Sequence, residues 1–184
     1  YMIEGHMLHE DHLGNRGDLR NGGVQWMTAG RGIIHSEMPQ QEEGVMRGFQ
    51  LWLNLPAAEK MTKAGYRDIQ PEEIPELAFD GGKLKLIAGS LQIDGQAHAG
   101  AVPDRTTQPI YADIQLASGG SLRLPLPAGH NAMLYLYEGS ASLGEPCWRP
   151  PPRRCPSPRR PRRGERRFQA KAPPAWLRAR LGSH

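Results

Sequence analysis

Glycine and proline interrupt this chain so often that long helices have no room to form. There are 22 glycines and 17 prolines among 184 residues, and between them lie short runs in which apolar and polar side chains alternate. The clearest such run is Phe49–Leu55. Phe49, Leu51, Leu53 and Leu55 alternate with Gln50, Trp52 and Asn54, the two-residue period of a half-buried strand. Val24–Thr28, Gly32–Met38, Lys83–Ile93, Pro109–Ala117 and Ala132–Gly139 read as further strands, and Tyr1–Gly5 as the end of one. Helix is expected only as single turns, one within Pro56–Ala64 and one in Ile69–Leu77, which contains Pro71–Pro75 and reads as a surface connection. Many short strands joined by Gly/Pro turns point to an all-β sandwich or barrel.

Charge divides the chain in two. The formal net charge is +4, but residues 1–144 carry 11 Lys or Arg against 17 Asp or Glu, and residues 145–184 carry 12 against 2. The basic balance therefore belongs to the tail, and whole-chain charge says nothing about partners of the first part. The tail has nine prolines and eleven arginines to one lysine, with few apolar residues. Such a composition does not offset the entropy of ordering the chain, so disorder is expected. A basic nucleic-acid-binding arm, a disordered linker and translation in a wrong reading frame all fit it; the arginine bias and the break inside a β pattern favour the last. Polyanion binding by such a tail would be non-specific. No apolar run of eighteen residues marks a membrane span. The start of the chain lacks the pattern of a signal peptide and no cysteine precedes Cys147, which points to the cytoplasm.

The candidate chemistry lies in Gly22–Pro39. A glycine-rich turn, Ala29-Gly30-Arg31-Gly32, delivers Ile33-Ile34-His35-Ser36-Glu37-Met38. In an extended chain His35 and Glu37 share one face while Ile34, Ser36 and Met38 share the other. An imidazole and a carboxylate on one face make half of a transition-metal site. His6, His9 and His12 recur at intervals of three, but Gly5 and the turn-like Asp11–Asn15 oppose a helix that would align them. They read as surface histidines near a hairpin.

The stretch Gly23–Pro39 (GVQWMTAGRGIIHSEMP) closely resembles the signature of the pirins, a family of the cupin superfamily. YMIEG at Tyr1–Gly5, HEDHLG at His9–Gly14, FQLWLNLP at Phe49–Pro56 and EEIP at Glu72–Pro75 agree. The similarity covers roughly residues 1–144. It implies a bicupin, two antiparallel barrels in tandem, with one metal in the first barrel, typically Fe²⁺, held by three histidines and a glutamate. Two of those ligands match His35 and Glu37. The other two belong to a His-x-His pair that precedes the strand ending in YMIEG, and so would lie before Tyr1. Accordingly, residues 1–97 are expected to form a first cupin barrel lacking its opening strands, residues 98–144 the beginning of a second, and residues 145–184 a disordered tail.

The resemblance also implies an activity. Some pirins resemble quercetin 2,3-dioxygenases, which open a flavonol ring with O₂; others regulate through a protein partner. In the first case His35 is a plain ligand, and Glu37 doubles as the base that takes the flavonol hydroxyl proton. With half the ligand set absent, catalysis is expected to be impaired, and an inactive gene fragment is a third reading. Trp26 and Trp52 are expected in barrel packing rather than in a flavonol pocket. Gln50 and Asn54 share a face with Trp52.

Overall fold

The computed structural model describes residues 1–40, 42–103, 105–143 and 165–170. Contacts divide the chain into two compact units. The first comprises Tyr1–Pro75, Lys85–Ser90 and Ala99–Ala112; the second comprises Glu76–Leu84, Leu91–His98 and Asp113–His184.

In the first unit, β1 (Met2–Glu4), β2 (Met7–Asp11), β3 (Arg16–Leu19), β4 (Val24–Thr28), β5 (His35–Pro39), β6 (Arg47–Gly48) and β7 (Gly65–Ile69) follow in chain order. They form three small antiparallel sheets, β3–β2–β5, β1–β6 and β4–β7. The core consists of Val24, Ile69, Ile74, Ile87, Ala88 and Val102, with half-buried Tyr1, Trp26, Ala101 and Tyr111 against it. Ile69 and Ile87 are completely buried, and each such side chain contributes about 1.5–3 kcal/mol relative to exposure. Arg67 braces this layer from β7, donating to the Ala101 carbonyl at 2.8 Å and to Glu73 Oε2 at 2.9 Å.

The remaining strands are β8 (Glu76–Phe79), β9 (Gly82–Ala88), β10 (Ser90–Ile93), β11 (Gln96–Ala99), β12 (Tyr111–Leu116), β13 (Ser121–Pro125), β14 (Ala141–Leu143) and β15 (Glu165–Ala170). They pair as β12–β9–β8, β10–β11 and β13–β15–β14. The expected strand Lys83–Ile93 is thus two strands, broken at Gly89. Its φ of +77° suits glycine, and a Cβ there would come within 2.2 Å of the Pro109 carbonyl oxygen. Leu84, Leu91, Ile93, Leu122 and Leu124 are buried apolar residues of the second unit's strands. Single 3₁₀ turns occupy Ala57–Glu59 and Pro71–Glu73, as the prolines and glycines predict. Within the basic tail, Glu165–Ala170 is a strand paired with β13 and β14. The rest of the tail, with both cysteines, lies outside the described residues, as does most of the reading of it as disordered.

Two expected strands are corrected. The alternating run at Phe49–Leu55 is not a strand: pairing stops at Gly48 and Phe49, where Phe49 N–H donates to the Tyr1 carbonyl at 2.9 Å. Beyond it Trp52 is 88% exposed and packs into no core, contrary to expectation. Ala132–Gly139 likewise forms no strand, and Met133 is 86% exposed. Within it Tyr137 Oη donates to buried Asp113 Oδ1 at 2.7 Å. Both runs have the side-chain pattern of a strand, but a strand also needs a neighbour for its backbone N–H and C=O groups. Among the described residues no ladder partner reaches Ala132–Gly139, or the first run beyond Phe49.

Candidate metal centre

His35 and Glu37 lie on β5, as the sequence predicts, and β5 pairs with β2 in a register that sets Glu37 opposite His9 and His35 opposite Asp11. Directly opposed residues of an antiparallel pair project from the same face. His9, Asp11, His35 and Glu37 therefore form one polar face of the β3–β2–β5 sheet. Position on that face differs in depth. His35 is exposed, Glu37 half-buried, and His9 only 1% exposed.

The turn after β2 builds the deep part of this face. Asp11 Oδ1 accepts the backbone N–H groups of Leu13 (2.9 Å) and Asn15 (3.0 Å), while Oδ2 accepts from Asn15 Nδ2 at 2.8 Å. This is the local side-chain-to-backbone bonding that favours Asp and Asn in turns. Asp11 Oδ2 also lies 3.4 Å from His9 Nε2. Burial would push the Asp11 carboxyl up; the hydrogen bonds from Asn15, His9 and Leu13 outweigh it and hold the group at about 2. An ionised Asp11 accepts only, so the His9 proton sits on Nε2.

Tyr66, on β7, closes the other side. Its ring stacks on His9 with centroids 4.1 Å apart and planes 7° from parallel, and His9 in turn stacks on His35 at 5.6 Å and 24°. Tyr66 reaches this position because residue 17 is glycine: a Cβ there would lie 1.8 Å from the phenol oxygen. Burial, reinforced by the negative charges of Asp68, Asp11 and Glu37, raises the Tyr66 phenol well above its ordinary value, with Gln25 opposing. The phenol stays protonated throughout the physiological range.

His6 and His12 are elsewhere. His6 Nε2 pairs with Asp18 Oδ1, and this bond, with Arg20, lowers the Asp18 carboxyl. His12 accepts the Ile34 N–H on Nδ1 at 3.1 Å and donates its own backbone N–H to the Ile34 carbonyl at 3.0 Å. It thereby aligns the residue before His35. The expectation of surface histidines near a hairpin holds for the hairpin and fails for His9, whose ring is covered by Tyr66. A signal for this was present: His9-x-Asp11 has the same two-residue spacing as His35-x-Glu37, followed by an Asp/Gly/Asn turn. Gln50, singled out in the alternating run, donates to Glu37 Oε2 at 3.1 Å. Asn54 instead accepts from Lys60 at 2.6 Å.

A nitrogen and an oxygen donor on one strand face fit a divalent transition metal in kind. They fall short in number. Among the described residues no group of three His, Cys, Asp or Glu side chains converges to hold an ion.

Short antiparallel strands and scarce helix define an all-β protein, and solved structures of cupin type share its fold. A solved quercetin 2,3-dioxygenase from Acinetobacter baumannii superposes with a TM-score of 0.71 at 26% identity, over 93% of this chain and 59% of that one. The family model described as Pirin matches residues 1–53. A Pseudomonas aeruginosa protein provisionally named a quercetin 2,3-dioxygenase is 60% identical over 145 residues, covering 78% of this chain and 50% of the relative. Human pirin is 38% identical over 146 residues, 78% of this chain and 48% of its own length. The chain belongs to the pirin family, and it spans about half the length of these curated relatives.

Proposed function

We propose that the protein is a metal-binding pirin whose polar β2–β5 face serves quercetin 2,3-dioxygenase-type opening of a flavonol-like ring by O₂. The observation that carries this reading is the placement of His35 and Glu37 on one face of β5, beside a buried, hydrogen-bonded His9–Asp11 pair. His35 and Glu37 would hold the metal, with Fe²⁺ the ion proposed. When bound, the metal would supply polarisation of the substrate hydroxyl and an open position for O₂. Gln50 occupies Glu37 Oε2, which leaves Oε1 to take the hydroxyl proton. Tyr66, kept neutral, and stacked His9 give the inner side of the face a flat aromatic lining.

Among the described residues His35 and Glu37 meet no third ligand, so in this proposal they retain the ion weakly and turnover is impaired. A first barrel over residues 1–97, the opening of a second over 98–144, and a cytoplasmic location belong to the same proposal. The test is anaerobic loading of the full chain with Fe²⁺, then quercetin and O₂, following loss of the flavonol absorbance. Slow but metal-dependent loss supports the reading. No loss from a chain shown to hold iron sinks it.

A second reading, a non-enzymatic regulator acting through a protein partner, is favoured by the exposed apolar side chains of Ile34, Met38 and Trp52. It predicts metal binding without flavonol loss. An inactive gene fragment predicts neither.

A further inference from the structure

The ring of His9 neither holds the metal nor moves a proton in the reaction proposed above, yet it is almost completely buried on that face. It is 1% exposed, it is sandwiched between Tyr66 (4.1 Å, 7°) and His35 (5.6 Å, 24°), and its Nε2 is fixed by the buried carboxylate of Asp11. Its Nδ1 is buried with no hydrogen-bond partner, so rotation of the ring brings no second bond in compensation. Asp11 in turn is held by both the backbone and the side chain of Asn15. A rigid chain therefore runs from the β2–β3 turn through Asp11 to His9 and ends on the face of His35. His35 itself is exposed and opens β5 directly after a segment with no strand pairing of its own. Among the described residues the ring contact of His35 is its stack on His9.

We propose that His9, clamped by Asp11, is a positioning residue that sets the plane of the His35 imidazole for metal binding. This rests on the reading of His35 as a ligand, but the orientation of its ring is testable without any metal. Neighbours that orient a ligand commonly change metal affinity by an order of magnitude or more.

The full 184-residue chain is compared with His9→Ala, His9→Phe and Asp11→Asn by two readouts. One is the ¹H–¹⁵N imidazole resonances of His35 in metal-free protein; the other is Co²⁺ affinity from titration of the visible ligand-field bands. The unfolding midpoint of each variant is recorded beside them. His9→Ala is expected to move the His35 resonances and weaken Co²⁺ binding about tenfold. His9→Phe, which keeps a stacked ring, is expected to restore both to within about twofold. Unchanged His35 resonances and Co²⁺ affinity in His9→Ala overturn the proposal, as does His9→Phe behaving like His9→Ala. Should His9→Ala not fold, Asp11→Asn must move the His35 resonances while His9→Phe does not; the reverse result overturns the proposal. A parent chain that binds no Co²⁺ would remove the ligand reading of His35, and with it the purpose assigned to His9. In that event shifted His35 resonances would still establish the ring contact.

Discussion

Glycine 17 lies directly against the phenol oxygen of Tyr66, where a Cβ would sit only 1.8 Å away. Residue 17 is also the β3 partner of His9, so the smallest residue on one strand admits the ring that covers the histidine on the next. This one vacancy sets the depth of the polar face.

Gly17→Ala is therefore expected to displace Tyr66 or separate β3 from β7, at a cost of about 1–3 kcal/mol. A denaturant-unfolding series measures it. A companion Tyr66→Phe, which removes the hydroxyl from the contact, should recover part of the loss when combined with Gly17→Ala. Strict additivity of the two changes would show that they do not meet.

Acid sensitivity follows from Asp11. Its folded-state value of about 2 lies below the ordinary 3.8, so the unfolded chain binds the proton more readily. The ionised group then stabilises the hairpin fully above about pH 4, and that contribution disappears as pH falls toward 2. Denaturation midpoints measured between pH 5 and 2 should decline through this window. In Asp11→Asn the decline should be shallower; an identical slope would assign the acid sensitivity to other carboxylates.

Ile69 and Trp52 make a contrasting pair. Ile69 is fully buried in the first unit's core and Trp52 is 88% exposed. Ile69→Ala should cost about 2–5 kcal/mol, and Trp52→Ala should change stability by no more than about 0.5 kcal/mol. A large loss for Trp52→Ala would restore the strand that the alternation at Phe49–Leu55 predicts.

For the chemistry, Glu37→Gln keeps the size of the side chain and removes its basicity. If flavonol turnover is observed in the iron-loaded chain, this change should lower it about 10²- to 10⁴-fold. His35→Ala should abolish Co²⁺ binding at concentrations that saturate the parent. Gln50→Ala frees Glu37 Oε2 and is expected to leave metal affinity within a few-fold, because the ligand itself remains.

The period-two runs placed β4, β5 and β12 close to their observed positions, because alternation and β-branched residues report how a chain presents its two faces. They did not distinguish these from Phe49–Leu55 and Ala132–Gly139, which carry equally good alternation. A local pattern specifies which side chains go together, not which backbone lies alongside. Likewise the two-residue spacing puts His35 and Glu37 on one strand face, as β5 has them, whereas the three-residue spacing of His6, His9 and His12 predicts only surface histidines. Its burial depends on Tyr66, 57 positions later in the chain, and on a glycine that admits it.

What the sequence determined by itself, then, was an all-β chain of pirin type and a His-x-Glu pair on one strand face. These follow from local periodicity and from a signature written contiguously between Gly23 and Pro39. Only the tertiary structure decided that His9 and Asp11 stand beside that pair, and that Leu51, Trp52 and Leu53 within the alternating run stay exposed. Register between strands and contact across sheets arise from residues distant in the chain, and backbone hydrogen bonds are satisfied only when a second strand arrives.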